Sequence, residues 1–188
     1  VAGTRSRGDS ARADAALRDE LLASEKDRRE HASVEDAIRR RLAALCTSVR
    51  QDEGTSELRL ARGRHLRSRF EGRLRAGVTT LEVLRALHPT PAVGGVPTDR
   101  ACRAIREQEP FARGWYAGPV GWIGADAAEF AVAIRCGLVR DNRLALYSGA
   151  GIVEGSVPEQ EWNEIEQKIG DFAAVLDLGK GVGEWGKG

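Results

Sequence analysis

Methionine is absent from the chain, position 1 included. That absence predicts a processed chain or a piece of a longer one. Cysteine is scarce: Cys46, Cys102 and Cys136 are widely spaced and form no CxxC pair. The scarcity excludes a disulfide scaffold and a zinc-ribbon pattern, and predicts reduced thiols in a cytoplasmic protein. No apolar run approaches the roughly 20 residues of a membrane-spanning helix, and Val1 opens on no secretory leader pattern. No membrane partner is therefore expected. An excess of either charge is also lacking, with 29 basic and 28 acidic residues and a net charge of +1. That balance argues against nucleic acid as a partner.

What is present suffices for one sizeable core, since 41% of the 188 residues are hydrophobic. Val1 to Gly8 reads as a strand opening into a loop. From about Ala13 apolar residues recur at three- and four-residue steps through Leu21, Val34, Ile38 and Val49, the period of a helix. Ser24 is placed to cap a second helix with Asp27 at its third position. Asp27, Glu30, His31 and Val34 would then share one face, by default a solvated turn. Arg59 to Arg69 alternates irregularly with apolar residues and predicts a twisted edge strand of positive potential. Thr79 or Thr80 starts a short helix, ended at His88-Pro89-Thr90-Pro91 because residues before proline avoid helical geometry. Ala92 to Pro97 predicts a constrained small-residue loop, and Pro97 opens another helix. Three apolar runs follow, at Trp115 to Ile123, Glu129 to Cys136 and Leu144 to Tyr147. Turns at Gly124 to Ala128 and Arg140 to Arg143 make hairpins of them, hence an antiparallel sheet backed by helices, an α+β arrangement. Residues 178–188 are glycine-rich and predict a flexible tail.

The stretch richest in chemistry is Ser148-Gly149-Ala150-Gly151-Ile152-Val153-Glu154-Gly155-Ser156, with Pro158 and a charged helix after it. Small residues after a strand let a ligand approach the backbone. Ser156 is expected to cap the helix and Pro158 to open it. At about 100° per residue, Trp162, Ile165, Ile169, Phe172 and Leu176 form an apolar stripe with Glu164 and Lys168 on its flank. On spacing alone, Glu164 and Lys168 are a surface ion pair worth a few tenths of a kcal/mol. Arg135, at the end of an apolar strand, suits a salt bridge or an anion site.

Taken in order, the motifs resemble the C-terminal portion of the chorismate-utilising enzymes, and most closely isochorismate synthases. They are Ala2-Gly3-Thr4-Arg5, Glu25-Lys26-Asp27-Arg28-Arg29-Glu30-His31, Leu87-His88-Pro89-Thr90-Pro91-Ala92-Val93-Gly94-Gly95, Arg113-Gly114-Trp115-Tyr116-Ala117-Gly118, Val132-Ala133-Ile134-Arg135 and Gly149-Ala150-Gly151-Ile152-Val153. Glu161-Trp162-Asn163-Glu164 and Lys168 follow. The resemblance covers residues 1–177 as one portion of a chorismate-binding domain and leaves the tail outside. It implies large antiparallel sheets flanked by helices.

It also implies roles. Glu30 and Glu164 would hold Mg2+, which binds one carboxylate of chorismate. Lys168 and the backbone around Gly149 and Gly151 would contact that same carboxylate, and Arg135 the enolpyruvyl carboxylate. Thr4, His88 and Ala92 would line the ring, while Asp27 and Glu161 would support the metal carboxylates from behind. The implied reaction adds water at C2 of chorismate and loses the C4 hydroxyl, giving isochorismate for siderophore or menaquinone synthesis. Ala32-Ser33-Val34-Glu35-Asp36 and Gly95-Val96-Pro97-Thr98 depart from the aminating relatives, which carry lysine at the last position. A salicylate synthase shares much of the framework, as does an aminating component. In the family the general-base lysine and the general-acid glutamate precede the Ala-Gly-Thr motif. The N-terminal half of the same protein is thus an implied partner, and this chain without it would be an inactive fragment.

Overall fold

The computed structural model describes residues 2–52, 54–60 and 63–175. The predicted tail lies outside them. The elements run β1 (Ala2–Ser6), α1 (Ala11–Ala23), α2 (Glu25–Leu45), β2 (Cys46–Gln51), β3 (Ser56–Arg59), β4 (Gly63–Arg67), β5 (Phe70–Leu74), α3 (Thr80–Leu87), α4 (Pro91–Gly94), α5 (Thr98–Gln108), β6 (Pro119–Ile123), β7 (Ala128–Val132), β8 (Cys136–Arg140), β9 (Arg143–Tyr147) and α6 (Pro158–Val175). The strands pair as β1-β4-β3, β2-β5, β6-β7 and β8-β9. Where the register is defined the pairs are antiparallel, so the α+β arrangement is as expected.

The chain divides into two compact units. The first holds the described residues up to Ala112 together with Trp122–Glu129; the second holds Arg113–Gly121 and the described residues from Phe130 onward.

In the first unit, capping decides where the helices start. The Ser10 hydroxyl accepts from the Ala13 amide to open α1, and the Ser24 hydroxyl accepts from Asp27 to open α2. Thr79 and Glu82 close a reciprocal capping box on α3. Helices α1 and α2 lie against β1, and α1 also against β4. Leu21, Val34, Ala37, Cys46 and Leu66 form the buried apolar set.

The basic stretch departs from expectation. It is two strands, β3 and β4, and β4 is the centre of its sheet rather than an edge. Arg64 is buried, its guanidinium donating to Glu57 at 2.6 Å and to Asp14. Arg7 and Arg59 also pair with Asp14. The Arg64 hydrogen bond, helped by the Gly8 amide and Arg7, holds the Asp14 carboxyl well below the usual carboxylate range, against the opposing effect of burial. The positive charge of Arg64 is thus spent internally, because a buried guanidinium is tolerable only when paired. Ala92 to Gly94, the start of the segment read above as loop, wind with Pro91 into the single turn α4.

In the second unit Ala117, Glu161 and Ala173 are buried. Trp115 to Gly118 is a turn rather than the start of a strand. Its Ala117 amide donates to the Ala133 carbonyl and the Ala133 amide returns to Gly118. On α6 the covered face runs through Glu161, Ile165, Lys168 and Phe172, whereas Trp162 is 61% exposed. Ile169 is covered as well, so Ile165, Ile169 and Phe172 of the expected stripe are as expected and Trp162 is the exception; Leu176 lies outside the described residues. Several apolar side chains stand in solvent on both faces of the hairpins, Val139 at 73% and Leu138 at 55% among them. Cys46, Cys102 and Cys136 are free thiols. No helix among the described residues is long and apolar enough to cross a membrane.

Candidate substrate-carboxylate site

The second unit builds a small polar wall where β9 gives way to α6. The chain leaves β9 after Tyr147 and reaches α6 at Pro158, whose missing N–H costs nothing at a first helical position. Ser156 does not cap the helix. Its hydroxyl accepts from the Val153 amide at 3.0 Å and its amide donates to the Val153 carbonyl at 3.0 Å, closing a turn before the helix. Gly155 supplies the left-handed residue of that turn, at φ 87°.

From α6, Lys168 reaches back to this loop. Its ammonium donates to the Gly149 carbonyl at 2.9 Å and pairs with the Glu164 carboxylate at 2.6 Å. The lysine side chain is 18% exposed and the glutamate 39%. A free surface i,i+4 pair would leave both ends in water; here the ammonium is tied to a backbone carbonyl and one side of the carboxylate stays open. Gly149 needs to be glycine for space. A Cβ there would lie 2.5 Å from the Tyr116 hydroxyl oxygen. Tyr116 is held in turn, stacked on Tyr147 with ring centroids 5.7 Å apart and with the Arg113 guanidinium 5.6 Å from its ring centre. The neighbouring Ser148 hydroxyl is buried, with no hydrogen-bond partner among the described residues. Gly151 is half-buried in the same loop, and Glu161 is buried one turn before Glu164.

Arg135 sits in the break between β7 and β8 with φ 49°, an uncommon backbone state for a residue with a side chain. It is half-buried, and among the described residues no carboxylate pairs with it. Strained backbone that aims an unpaired, half-buried cation is a feature of ligand sites.

The first unit carries the other candidates. Thr4 bonds through its hydroxyl to His65 Nδ1 at 3.1 Å, the same nitrogen that lies 3.0 Å from the Gly3 carbonyl. Gly3, at φ 63°, lets β1 approach Leu21 and Asp27, which a Cβ would meet at 2.9 and 3.1 Å. Asp27 is buried and receives Arg5 at 3.1 Å, and Arg5 also pairs with Glu20. Glu30, one turn further along α2, is half-buried. His31 is buried against Ser68, 2.8 Å away, and Glu35. Burial pushes the His31 imidazole below its ordinary range, with Glu35 partly opposing. His88 ends α3 half-buried, and its imidazole is lowered by burial and by the nearby charge of Arg41. Ala92 is exposed on α4. The candidates thus fall into two sets, Thr4, Asp27, Glu30, His88 and Ala92 in one unit and Arg135, Gly149, Gly151, Glu161, Glu164 and Lys168 in the other. Within the second set, the structure joins Gly149, Glu164 and Lys168 directly.

The family model described as chorismate binding enzyme matches residues 1–177. The chain belongs to the chorismate-binding enzymes. A chloroplastic isochorismate synthase of Catharanthus roseus is 44% identical over 179 residues, which are 95% of this chain and 31% of that protein. The solved menaquinone-specific isochorismate synthase of Escherichia coli superposes with a TM-score of 0.84 at 36% identity, covering 93% of this chain and 40% of that one. Anthranilate synthase component I of Streptococcus pneumoniae follows at a TM-score of 0.74 and 31% identity, covering 89% and 41%. The chain therefore spans between about a third and two fifths of the length of these relatives.

For a member of this family, two features of the wall were not apparent from the residues as a string. The Arg113–Tyr116–Tyr147 stack that encloses Gly149 joins two distant segments, so no local spacing announces it. The backbone strain at Arg135 has no signal at all, because nothing in Ala-Ile-Arg-Cys asks for a left-handed residue.

Proposed function

We propose that this chain is the substrate-carboxylate and metal-binding portion of an isochorismate synthase. The observation that carries the reading is the Lys168 ammonium held between the Gly149 carbonyl and the Glu164 carboxylate. In this reading a carboxylate of chorismate takes a place beside Lys168 and the backbone of Gly149 and Gly151. Arg135, unpaired among the described residues, takes the enolpyruvyl carboxylate through its forked donors. Thr4, His88 and Ala92 line the ring, and Asp27 and Glu161 steady Glu30 and Glu164. The isochorismate synthases among the relatives support this choice over an aminating activity.

Mg2+ belongs to this reading, with one of its two proposed carboxylates in each unit. Among the described residues no group of three or more histidine, cysteine or acidic side chains could hold a metal. Mg2+ needs no such cage; it takes one or two carboxylates and fills its octahedron with waters and ligand oxygens. Glu164, 39% exposed, offers one such carboxylate, and Glu30 would supply the second. Bound there, the ion would neutralise the substrate carboxylate and fix its position. The protein's own groups supply the rest: Lys168 adds a second positive charge, Arg135 fixes the far end, and the ring is held between them. In the net reaction water enters at C2 and hydroxide leaves C4, so a base that takes a proton from water and an acid that protonates the leaving hydroxyl are required. We assign both to a preceding portion of the same protein, in a reducing, cytoplasmic setting that suits the free thiols.

A second reading, that these residues alone bind ligand weakly and do not turn it over, is favoured by the solvent-exposed Leu138, Val139 and Trp115. Apolar faces of this kind mark surfaces that another segment covers. Turnover in isotopically labelled water separates the readings. The protein with its preceding portion should place one labelled oxygen in the product, and these residues alone should place none. Product from the shorter chain, or an unlabelled product from the longer one, would contradict the proposal.

A further inference from the structure

We propose that Arg41 is a positioning residue that fixes the ring-lining segment 88–97 to the helix carrying Glu30. The proposal rests on the reading above, in which His88 and Ala92 face the substrate and Glu30 faces the metal.

The segment begins where backbone carbonyls are short of donors. It follows the C-terminus of α3, where the last carbonyls lack helical partners. Pro89 and Pro91 remove two of the amides that could have satisfied them. Arg41 supplies the donors from α2. One nitrogen of its guanidinium donates to the Pro89 carbonyl at 2.7 Å and to the Leu87 carbonyl at 3.2 Å, and another to the Thr98 hydroxyl at 3.3 Å. A single side chain therefore joins the end of α3, the proline turn and the start of α5. Further contacts make the segment one piece: the Thr98 hydroxyl lies 3.5 Å from the Gly95 carbonyl and the Cys102 thiol 3.5 Å from the Gly94 carbonyl. Gly94 has no room for a Cβ, which would lie 2.8 Å from Pro89, and neither has Gly95, 2.5 Å from Ala101.

The placement on α2 gives the clamp its purpose. Arg41 follows Glu30 by eleven residues, about three turns, so both project from one face about 16 Å apart along the axis. The helix thus serves as a rigid spacer, with a carboxylate at one position and the clamp on the ring-lining segment at the other. A lysine could reach one carbonyl but not all three acceptors, since only a guanidinium presents several donors in a fixed plane. The lowered His88 imidazole, which burial and Arg41 both disfavour as a cation, accords with this closeness.

The test uses the protein with its preceding portion. Arg41→Met keeps the apolar stem and removes the fork; Arg41→Lys keeps the charge. Contacts to the ring exist before and during reaction, so their loss raises KM more than it lowers kcat. Arg41→Met should raise KM for chorismate by roughly tenfold or more, with Arg41→Lys in between. A purely structural role would lower the thermal midpoint and leave KM unchanged at temperatures where the variant is folded, which would overturn the proposal. NMR of the imidazoles gives a readout independent of activity, because the signal lost in His88→Gln is that of His88. The His88 titration should move up in Arg41→Met. A protein that does not turn over chorismate refutes the functional reading alone, and an unmoved His88 titration refutes the clamp.

Discussion

Replacing Gly149 by alanine tests the wall at its tightest point. The backbone is not the obstacle, since Gly149 is outside the left-handed region that glycine favours. The obstacle is a Cβ 2.5 Å from the Tyr116 hydroxyl oxygen. Ordinary contact begins at about 3.5 Å, so something must move by about 1 Å. Tyr116 is poorly placed to yield, with Tyr147 stacked 5.7 Å away and Arg113 over its ring. Forced overpacking of this kind costs about 1–3 kcal/mol. If Gly149 shifts instead, its carbonyl leaves Lys168. Removing the tyrosine oxygen should relieve the clash, because the next atom met by the Cβ is Tyr116 Cζ at an ordinary 3.7 Å. The assay is urea unfolding of Gly149→Ala, Tyr116→Phe and the double variant, read as a thermodynamic cycle. The expected result is a coupling of about 1–3 kcal/mol, with the double variant more stable than the sum of the single losses. Additivity within about 0.5 kcal/mol, or an alanine variant as stable as the parent, would refute the packing described.

Three further outcomes follow from the same geometry. Lys168→Met removes the cation and the Gly149 anchor together, and should weaken chorismate binding at least tenfold by titration calorimetry, an order expected for a partly buried charged partner. Chelation should abolish turnover, and Glu164→Gln should raise the Mg2+ concentration needed for half-maximal rate by roughly tenfold, since metal carboxylates must be ionised. Acid should weaken the fold through His31. Its imidazole lies below the ordinary value of about 6.5 when folded, so the unfolded chain takes up the proton first. The stabilisation is complete above that value and declines as pH falls below it. Urea midpoints should therefore drop between pH 7 and 5, and the drop should be smaller in His31→Gln; an unchanged slope would show that His31 does not contribute.

Much of the fold is legible in the residues because its boundaries are chemical. Ser24 with Asp27, Thr79 or Thr80, and Pro158 mark helix starts that depend on local hydrogen bonding or a missing amide, and the structure starts helices there. The turns near 124–127 and 140–143 are equally local, although β8, which enters the second, is a strand beyond the three apolar runs. The failures share a cause. Arg64 was read as surface charge because its partners Asp14 and Glu57 lie on another helix and another strand. Ser156 was read as a cap, but its hydroxyl finds the Val153 amide first. Trp162 was read as core because an apolar side chain at helical spacing looks the same whether or not a neighbour covers it. The site divides likewise. Glu164 and Lys168 are legible as a pair, but that Lys168 ends on the Gly149 carbonyl and that Tyr116 fills the space beside that glycine are tertiary facts.

The central claim is that Lys168, Glu164, Arg135 and the Gly149 loop grip a dicarboxylate destined for isochorismate. Incubating the protein and its preceding portion with chorismate and Mg2+, with and without ammonia, and resolving the products by chromatography tests it most directly. The account predicts isochorismate as the main product, independent of ammonia. Anthranilate appearing only with ammonia, salicylate as the direct product, or chorismate recovered unchanged would contradict it.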